Sequence, residues 1–497
     1  MYIKSFFGKI LAKRDVAQTK KWSSNPLETQ QKVLHQLLKT ATHTAFGKDH
    51  AFSEIKSYED FKNQVPVRDY EGLKQYIERV KNGEQNILWK GSPLYFAKTS
   101  GTTSGAKYIP LTKESLSYQI KAAKSALLHY IIDSGNHHFI NGKMIFLQGS
   151  PELEVGPKVP NGRLSGIVAN FVPWYLQTNR LPSYKTNCIE DWETKIEVII
   201  EETLPEDLRL ISGIPPWVQM YFERLQTKTG KKISEIFPNF SLFVFGGVNY
   251  EPYRKKFEEL IGKKIDSLEL YPASEGFIAF QDKQNEKGLL LLLDYGIFYE
   301  FIPVEEFYDE NPTRISLGSV KMGVSYVLIL NTNAGLWAYN IGDTVAFTSL
   351  EPYRIIVTGR IKHFTSAFGE HVIAKEVEES LRLAMEECTE VEITEFTVAP
   401  QIEPHKGLPY HEWLIEFAVE PKDLGLFTKL IDENLQAQNS YYKDLIEGKI
   451  LRQLQITSVP KYSFLKYMKS QGKLGGQNKT PRLANDRKIA DFLVGAL

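Results

Sequence analysis

Hydrophobic residues recur at helical spacing through the first ninety positions of the chain, and then the period changes. Leu27, Val33, Leu34, Leu37 and Leu38 fall on one face of a helix, and Ser57-Tyr-Glu-Asp-Phe opens a further amphipathic segment. Beyond these, short apolar runs alternate with helical stretches. Met144-Ile-Phe-Leu, Ser241-Leu-Phe-Val-Phe, Asp266–Leu270, Leu289–Leu293, Ile297–Ile302, Val324–Leu330 and Arg354–Val357 read as strands. Trp192–Glu202 and Pro216–Thr227 read as helices between them. Buried strands separated by helices predict α/β layers, and the consecutive strands after Gly288 add a meander or a barrel-like β part.

After Gly359 the pattern becomes α+β. A helix at Ala374–Glu387 precedes strands near Ile393–Val398 and Glu412–Val419, then a helix at Leu424–Gln436 and a strand near Leu451–Ser458. The boundary falls at Arg360–Lys362. It divides a large α/β domain, residues 1–361, from a smaller mobile α+β domain, residues 362–497. Gly472-Lys-Leu-Gly-Gly-Gln-Asn-Lys is a glycine-rich loop near the end of the second domain.

Composition narrows the function classes. Sixty basic and sixty acidic residues cancel over 497 positions, so no global field favours nucleic acid or an anionic membrane. No apolar run has the length to span a bilayer. The opening segment is charged throughout and reads as a first helix rather than a signal peptide. Cys188 and Cys388 have no metal-ligand spacing around them, which fits a reducing compartment. Cytoplasm and a monomer are the expectations. His137-His138, His363, His405 and His411 also lack metal-like spacing and read as structural or surface residues.

The chemistry concentrates in four places. Residues 98–107 read Lys-Thr-Ser-Gly-Thr-Thr-Ser-Gly-Ala-Lys. Glycines let several backbone N–H groups converge on an anion, hydroxyls add donors that rotate to suit phosphate oxygens, and lysines add charge. Spacing excludes a Walker A loop, which needs Gly-x-x-x-x-Gly-Lys followed by Ser or Thr. On its own the stretch is equally a polar surface turn. Next, Leu270-Tyr-Pro-Ala-Ser-Glu-Gly offers a flat tyrosine face for a purine, a hydroxyl at Ser274, and in Glu275 a hard oxygen ligand for Mg²⁺. In the third, Tyr339-Asn-Ile-Gly-Asp, Asp343 can accept two bonds from ribose hydroxyls. In the fourth, Gly359-Arg-Ile-Lys, Arg360 can bond ribose or phosphate while Lys362 sits where a hinge would turn. Phe171-Val-Pro-Trp-Tyr reads as core or pocket wall, and Asn439-Ser-Tyr-Tyr as a structural helix end.

The order of these motifs resembles the adenylate-forming superfamily of acyl-CoA ligases, luciferases and peptide-synthetase adenylation domains. In detail the chain is similar to the auxin-responsive promoter family of acyl acid amido synthetases, particularly its bacterial branch. The phosphate loop, Gly213-Ile-Pro-Pro-Trp, Gly246-Gly-Val-Asn-Tyr-Glu-Pro-Tyr, Tyr271-Pro-Ala-Ser-Glu-Gly, Ser366-Ala-Phe-Gly-Glu and Gly475-Gly-Gln-Asn-Lys-Thr-Pro-Arg carry the likeness. It implies that Ser100, Gly101, Thr102, Thr103, Ser104 and Lys107 meet the ATP phosphates. Tyr271 would then stack on adenine, Ser274 would meet the α-phosphate and Glu275 would hold Mg²⁺. Asp343 would hold ribose with help from Arg360. Lys479 would be a catalytic lysine swung into the site as the small domain turns about Lys362. Two departures stand out: Asn340 replaces a basic residue of the family's third motif, and Pro272 replaces a smaller residue.

The implied reaction joins ATP and a carboxylic acid as an acyl adenylate, then passes the acyl group to an amine, expected to be an amino acid. Two anions must meet in the first step, so fixed cations are required. The adenylate is a mixed anhydride, and a closing domain would keep water from it. An acyl-CoA ligase or a non-catalytic nucleotide-binding relative are the alternatives.

Overall fold

Capping residues set several helix starts, as Ser57 illustrates. Its Oγ accepts from the Asp60 amide at 3.1 Å, and Asp60 Oδ2 accepts from the Ser57 amide at 2.9 Å. This reciprocal box satisfies two otherwise orphaned donors. The resulting helix, Tyr58–Gln64, stands among Tyr2–Ser23, Pro26–Ala41, Ala45–Asp49 and Tyr70–Lys81, so the helical period of this region is realised. The computed structural model describes residues 2–99, 107–154, 156, 158–171, 177–189, 191–248, 250–361, 364–365, 367–370, 372–471 and 480–495.

A small sheet brackets the phosphate-loop motif. β1 (Tyr95–Thr99) enters residues 100–106 and β2 (Lys107–Leu111) leaves them, paired antiparallel from Tyr95↔Leu111 to Thr99↔Lys107. A large sheet follows, built from β3 (Lys143–Phe146), β5 (Arg180–Leu181), β6 (Leu208–Ser212), β7 (Leu242–Gly246), β8 (Asp266–Ala273), β9 (Gly276–Phe280), β10 (Leu289–Leu291), β11 (Ile297–Pro303), β12 (Ile315–Ser316), β13 (Ser325–Thr332), β14 (Tyr339–Leu350) and β15 (Tyr353–Arg360). The intervening β4 (Asn161–Gly162) instead runs parallel to β1 in the small sheet. The large-sheet order is β12-β11-β13-β14-β15-β10-β9-β8-β7-β6-β3-β5.

Two regimes meet in this sheet. β5, β3, β6, β7 and β8 are parallel neighbours. Helices Pro215–Thr229 and Glu251–Ile261 lie between successive parallel strands in the chain, as parallel pairing requires. From β8 onward every pairing is antiparallel, and the strands after Gly288 form the meander. The turn from one regime to the other is the tight β8–β9 hairpin, with Ala273↔Gly276 as its last pair. Ser274 and Glu275 are its two tip residues.

The smaller C-terminal domain carries β16 (Phe364–Thr365) and β17 (Val372–Ile373) as a hairpin. It continues with a sheet of β18 (Glu392–Gln401), β19 (Tyr410–Val419) and β20 (Gln455–Ser458), flanked by helices Ala374–Glu387, Leu424–Gln438 and Ser440–Glu447. The last strand is shorter than the apolar run Leu451–Ser458 predicts. Leu451 and Leu454 pack into the core ahead of it without joining the ladder.

One apolar cluster ties the N-terminal helices to the antiparallel half of the large sheet. A second joins the parallel half, through Ile145, Phe243 and Phe257, to the C-terminal domain, through Phe368, Val377 and Trp413. The two domains therefore share a continuous core.

A buried ion pair fixes the framework under the candidate site. Glu300 is wholly buried in β11 and binds Arg314 through both carboxylate oxygens, at 2.6 and 2.7 Å. Arg314 Nη1 donates onward to the Val65 carbonyl at 2.6 Å. The chain then runs to Arg68, whose amide donates to Ala338 O at 3.0 Å and whose carbonyl accepts from Asn340 N at 2.8 Å. Arg314→Met leaves Glu300 uncompensated and is expected to cost about 3–5 kcal/mol in urea unfolding. Glu300→Leu combined with Arg314→Met should recover most of that loss, and equal stability of the single variant and the wild type would contradict this role.

Candidate active site

The β8–β9 hairpin brings the second motif against the third and fourth. Tyr271 lies in β8 with its ring buried, and its hydroxyl donates to Asp343 Oδ2 at 2.5 Å. Asp343 and Arg360 are register partners on β14 and β15. Arg360 Nε forms an ion pair with the other Asp343 oxygen, Oδ1. Both oxygens of this buried carboxylate therefore have protein partners, so any further donor binds in exchange with them or beside them. The Tyr271 phenol is held well above its ordinary pKa, first by burial and then by the adjacent Asp343 charge. It acts as a donor.

Glu275 sits at the hairpin tip, and only 9% of it is exposed. Burial raises its pKa, opposed chiefly by Lys107 at the start of β2, while Asp343 adds to the rise. The charge of Lys107, the closing residue of the phosphate-loop motif, therefore acts on the hairpin tip. Structure on the far side agrees: Gln119, on the helix Lys113–Ser134 that follows β2, donates from Nε2 to Ala273 O at 2.8 Å. Thr112 starts that helix by accepting from the Ser115 amide at 3.1 Å, and its own hydroxyl donates to Asn333 O at 2.8 Å. Glycine matters here at one place. A Cβ on Gly246, at the end of β7, would lie 2.5 Å from Leu270 O, so a side chain there would push β8 away.

Tyr339 completes the cluster and was not given a role by the sequence reading, although it begins the motif containing Asp343. It is fully buried, and its hydroxyl faces the Glu275 carboxylate without a well-formed hydrogen bond. Burial, then the charge of Glu275, holds its pKa well above the ordinary value. An unsatisfied buried hydroxyl beside a buried carboxylate is costly unless something polar joins them. Asn340, the departure from the family pattern, accepts from Gly342 N at 2.8 Å and so shapes the turn before Asp343.

The sequence-derived residues thus divide into two groups. Lys107, Tyr271, Glu275, Asp343 and Arg360 converge, with the half-buried Ser274 in the same hairpin. Ser100, Gly101, Thr102, Thr103, Ser104, the hinge residue Lys362 and the catalytic candidate Lys479 lie outside the described residues. So do residues 172–176 of the aromatic segment; Phe171 itself meets Tyr95 edge-on, ring centroids 5.9 Å apart. His411 pairs with Glu370 at 2.9 Å, both wholly buried, in keeping with a structural role. Among the described residues no group of three or more His, Cys, Asp or Glu side chains could hold a metal ion by itself. No helix among them is long and apolar enough to cross a membrane.

A half-parallel, half-antiparallel sheet, with a carboxylate hairpin at the change of regime and a smaller α+β domain behind it, is the adenylate-forming architecture. The chain belongs to the GH3 family. It matches the GH3 family N-terminal domain over residues 15–168 and 161–265, the central domain over 290–360 and the C-terminal domain over 375–488. It is 21% identical to the indole-3-acetic acid-amido synthetase GH3.3 of Arabidopsis thaliana, over 93% of this chain and 90% of that one. It is 22% identical to the jasmonoyl–L-amino acid synthetase JAR4 of Nicotiana attenuata, over 64% of this chain and 66% of the relative, just under two thirds of that protein's length. A solved structure of the AtGH3.15 acyl acid amido synthetase in complex with 2,4-DB superposes with a TM-score of 0.62, at 17% identity, over 98% of this chain and 96% of that one.

The raised pKa of Glu275 has a consequence for stability. Its folded value lies above its unfolded one, so the unfolded chain loses this proton first as pH rises. Ionising Glu275 therefore subtracts stability across the interval between the two values, and the loss persists above it. Glu275→Gln is expected to melt at a higher temperature than the wild type at about pH 8 without Mg²⁺, with the gap closing towards about pH 4. A variant that melts lower at about pH 8 would contradict this, and calorimetry across the range reads it directly.

Proposed function

We propose that the protein is an ATP-dependent ligase. It adenylates a small organic carboxylic acid, releasing pyrophosphate, and transfers the acyl group to an amine, an amino acid, forming an amide and AMP. The observation that carries this reading is the convergence of Lys107, Tyr271, Glu275, Asp343 and Arg360 from segments far apart in the chain. The relatives named as amido synthetases give the acceptor class.

In the first step a carboxylate oxygen attacks the α-phosphorus and pyrophosphate leaves. Lys107 and Arg360 offset the negative charge gathered there, and the low dielectric of the buried site strengthens their effect. Tyr271 orients Asp343, which accepts from the ribose hydroxyls. Ser274, at the hairpin tip, is placed to donate to the α-phosphate. The site also fits Mg²⁺: a buried carboxylate whose charge is only partly offset, beside the buried hydroxyl of Tyr339, suits an ion held by one protein oxygen and the substrate phosphates. Glu275 would hold it, and the ion would supply charge neutralisation at the phosphates. Lys479, the late lysine, would enter when the small domain turns about Lys362. In the second step the amine nitrogen attacks the acyl carbon, the carbon–oxygen bond to AMP breaks, and the nitrogen gives up a proton. This reading takes the protein as a cytoplasmic monomer acting on small molecules.

Incubation with Mg·ATP, a library of aryl and aliphatic acids and either the twenty amino acids or CoA, with products identified by mass, tests the assignment. An N-acyl amino acid is expected. A thioester formed only with CoA would move the acceptor to the alternative reading, and ATP binding without pyrophosphate release would leave a non-catalytic protein. With a turned-over acid in hand, Glu275→Ala and Asp343→Ala should each lower acid-dependent pyrophosphate exchange by at least about 100-fold while remaining folded. Full exchange in both removes the site assignment. Lys479→Ala should slow adenylation and spare transfer from added acyl adenylate; an unchanged pyrophosphate-release rate would refute that role.

A further inference from the structure

Besides Lys107, the register partner of Thr99, two described cations on the strands leading to the phosphate loop are held by carboxylates, and one of those carboxylates comes from the C-terminal domain. Lys98, near the end of β1, pairs with Glu154 at 2.7 and 3.0 Å. β4 runs parallel to β1, with Phe96↔Asn161 and Ala97↔Gly162 in register, so the next residue, Arg163, lies alongside Lys98. Arg163 Nη2 forms an ion pair with Asp444 Oδ2. Its guanidinium lies over the Tyr441 ring, 5.0 Å from the centroid. The Tyr441 hydroxyl in turn shares a hydrogen bond with the side chain of Thr99, the last described residue before the loop.

Tyr441 and Asp444 are rigidly presented. Their helix, Ser440–Glu447, begins at Asn439, whose side chain accepts from Tyr442 N at 2.9 Å and donates to Glu376 at 3.0 Å. Tyr442 is buried and donates to Asp432 at 2.6 Å. The contact with Arg163 is of a different kind. Both side chains are roughly a third exposed, 38% and 35%, and pairs this wet contribute little on their own. An attachment point that is firm in placement and weak in free energy is suited to being exchanged. A polyphosphate at Lys98 and Arg163 would offer oxygens that bind guanidinium bidentately. It would also set like charge against Asp444.

We propose that Arg163 is a switching cation. It clasps Asp444 and Tyr441 of the C-terminal domain when no polyphosphate is present, and it exchanges them for phosphate oxygens of ATP, which frees that domain to move. Tyr441 and Asp444 are positioning residues in this device, and Arg163 is a phosphate ligand as well. The inference rests on the reading of this region as the ATP site. A second interdomain contact, from the Tyr253 hydroxyl to Ala367 O at 2.8 Å, together with the shared core around Phe368, keeps the domains associated when the clasp opens.

The test uses the full chain with Cys188→Ser and Cys388→Ala, spin-labelled at Leu27→Cys and Leu465→Cys, both exposed in the structure. The probe is Mg²⁺ with α,β-methylene-ATP, which cannot be cleaved at the α-phosphorus. Without nucleotide a single dominant interdomain distance is expected. The analogue should shift it, AMP should leave it unmoved, and Asp444→Asn should broaden or shift it in the absence of any ligand. Removing the competing carboxylate should also tighten analogue binding by about threefold, since the competent fraction rises, whereas Arg163→Gln should weaken it. A merely structural ion pair would not give tighter binding in one partner's variant and weaker binding in the other's. Analogue bound with the distance unmoved, or Asp444→Asn unchanged in both distance and affinity, overturns the clasp alone. No binding of the analogue to the wild type overturns the ATP reading itself.

Discussion

Two buried carboxylates that feel each other's charge are the constraint around which this structure is organised. Glu275 and Asp343 repel each other in a low-dielectric setting, where neither can be left without a partner. Asp343 is compensated locally, by Arg360 across the β14–β15 ladder and by the Tyr271 hydroxyl from β8. Glu275 is compensated only in part, chiefly by Lys107 from the far end of the phosphate-loop motif, with a backbone hydrogen bond and the weaker pull of the Arg360 charge adding to it. The rest of the fold serves to hold these four charges and the Tyr271 hydroxyl together. β8 and β9 make the hairpin, the meander brings β14 and β15 alongside, and the helix after β2 is pinned to the hairpin through Gln119. Under the proposed function, a cation bound at Glu275 would offset the residual imbalance there and so make room for a second anion beside it.

This arrangement explains why the change of sheet regime falls where it does. A parallel strand needs a crossover, so β7 and β8 are separated by a helix and leave room at their C-terminal ends. An antiparallel hairpin needs only a short turn, so it can place Ser274 and Glu275 at that same edge. The meander then carries Tyr339, Asp343 and Arg360 back to it.

Much of this was legible in the sequence. The helical period of the N-terminal ninety residues, most strands and the helix Ala374–Glu387 were read from spacing alone, because long amphipathic runs report their own period. The shortest strands, β4, β5 and β12, carry two residues each and gave no signal. Tyr271, Glu275 and Asp343 were singled out by residue chemistry and given definite roles by resemblance, and their convergence is a property of topology that no local pattern contains. Tyr339 was within a quoted motif, yet nothing in its neighbours said that its hydroxyl would be buried without a partner. Asn439-Ser-Tyr-Tyr was read as the end of a helix; Asn439 does close the helix Leu424–Gln438, but it also caps the next one, and Ser440, Tyr441 and Tyr442 form that helix's first turn. That Tyr441 and Asp444 reach across to Thr99 and Arg163 depends on how two domains share a core, and separations of this size leave no trace in periodicity.

The central claim is that a carboxylate oxygen attacks the α-phosphorus of ATP in the pocket formed by Lys107, Tyr271, Glu275, Asp343 and Arg360. Isotope transfer reads that bond directly. An accepted acid labelled with ¹⁸O in its carboxyl group should, on complete turnover to the amide, yield AMP carrying one labelled oxygen on its phosphate, because the carbon–oxygen bond is the one broken when the amine arrives. Label found in inorganic phosphate with ADP as the nucleotide product, or AMP without label, would contradict the account.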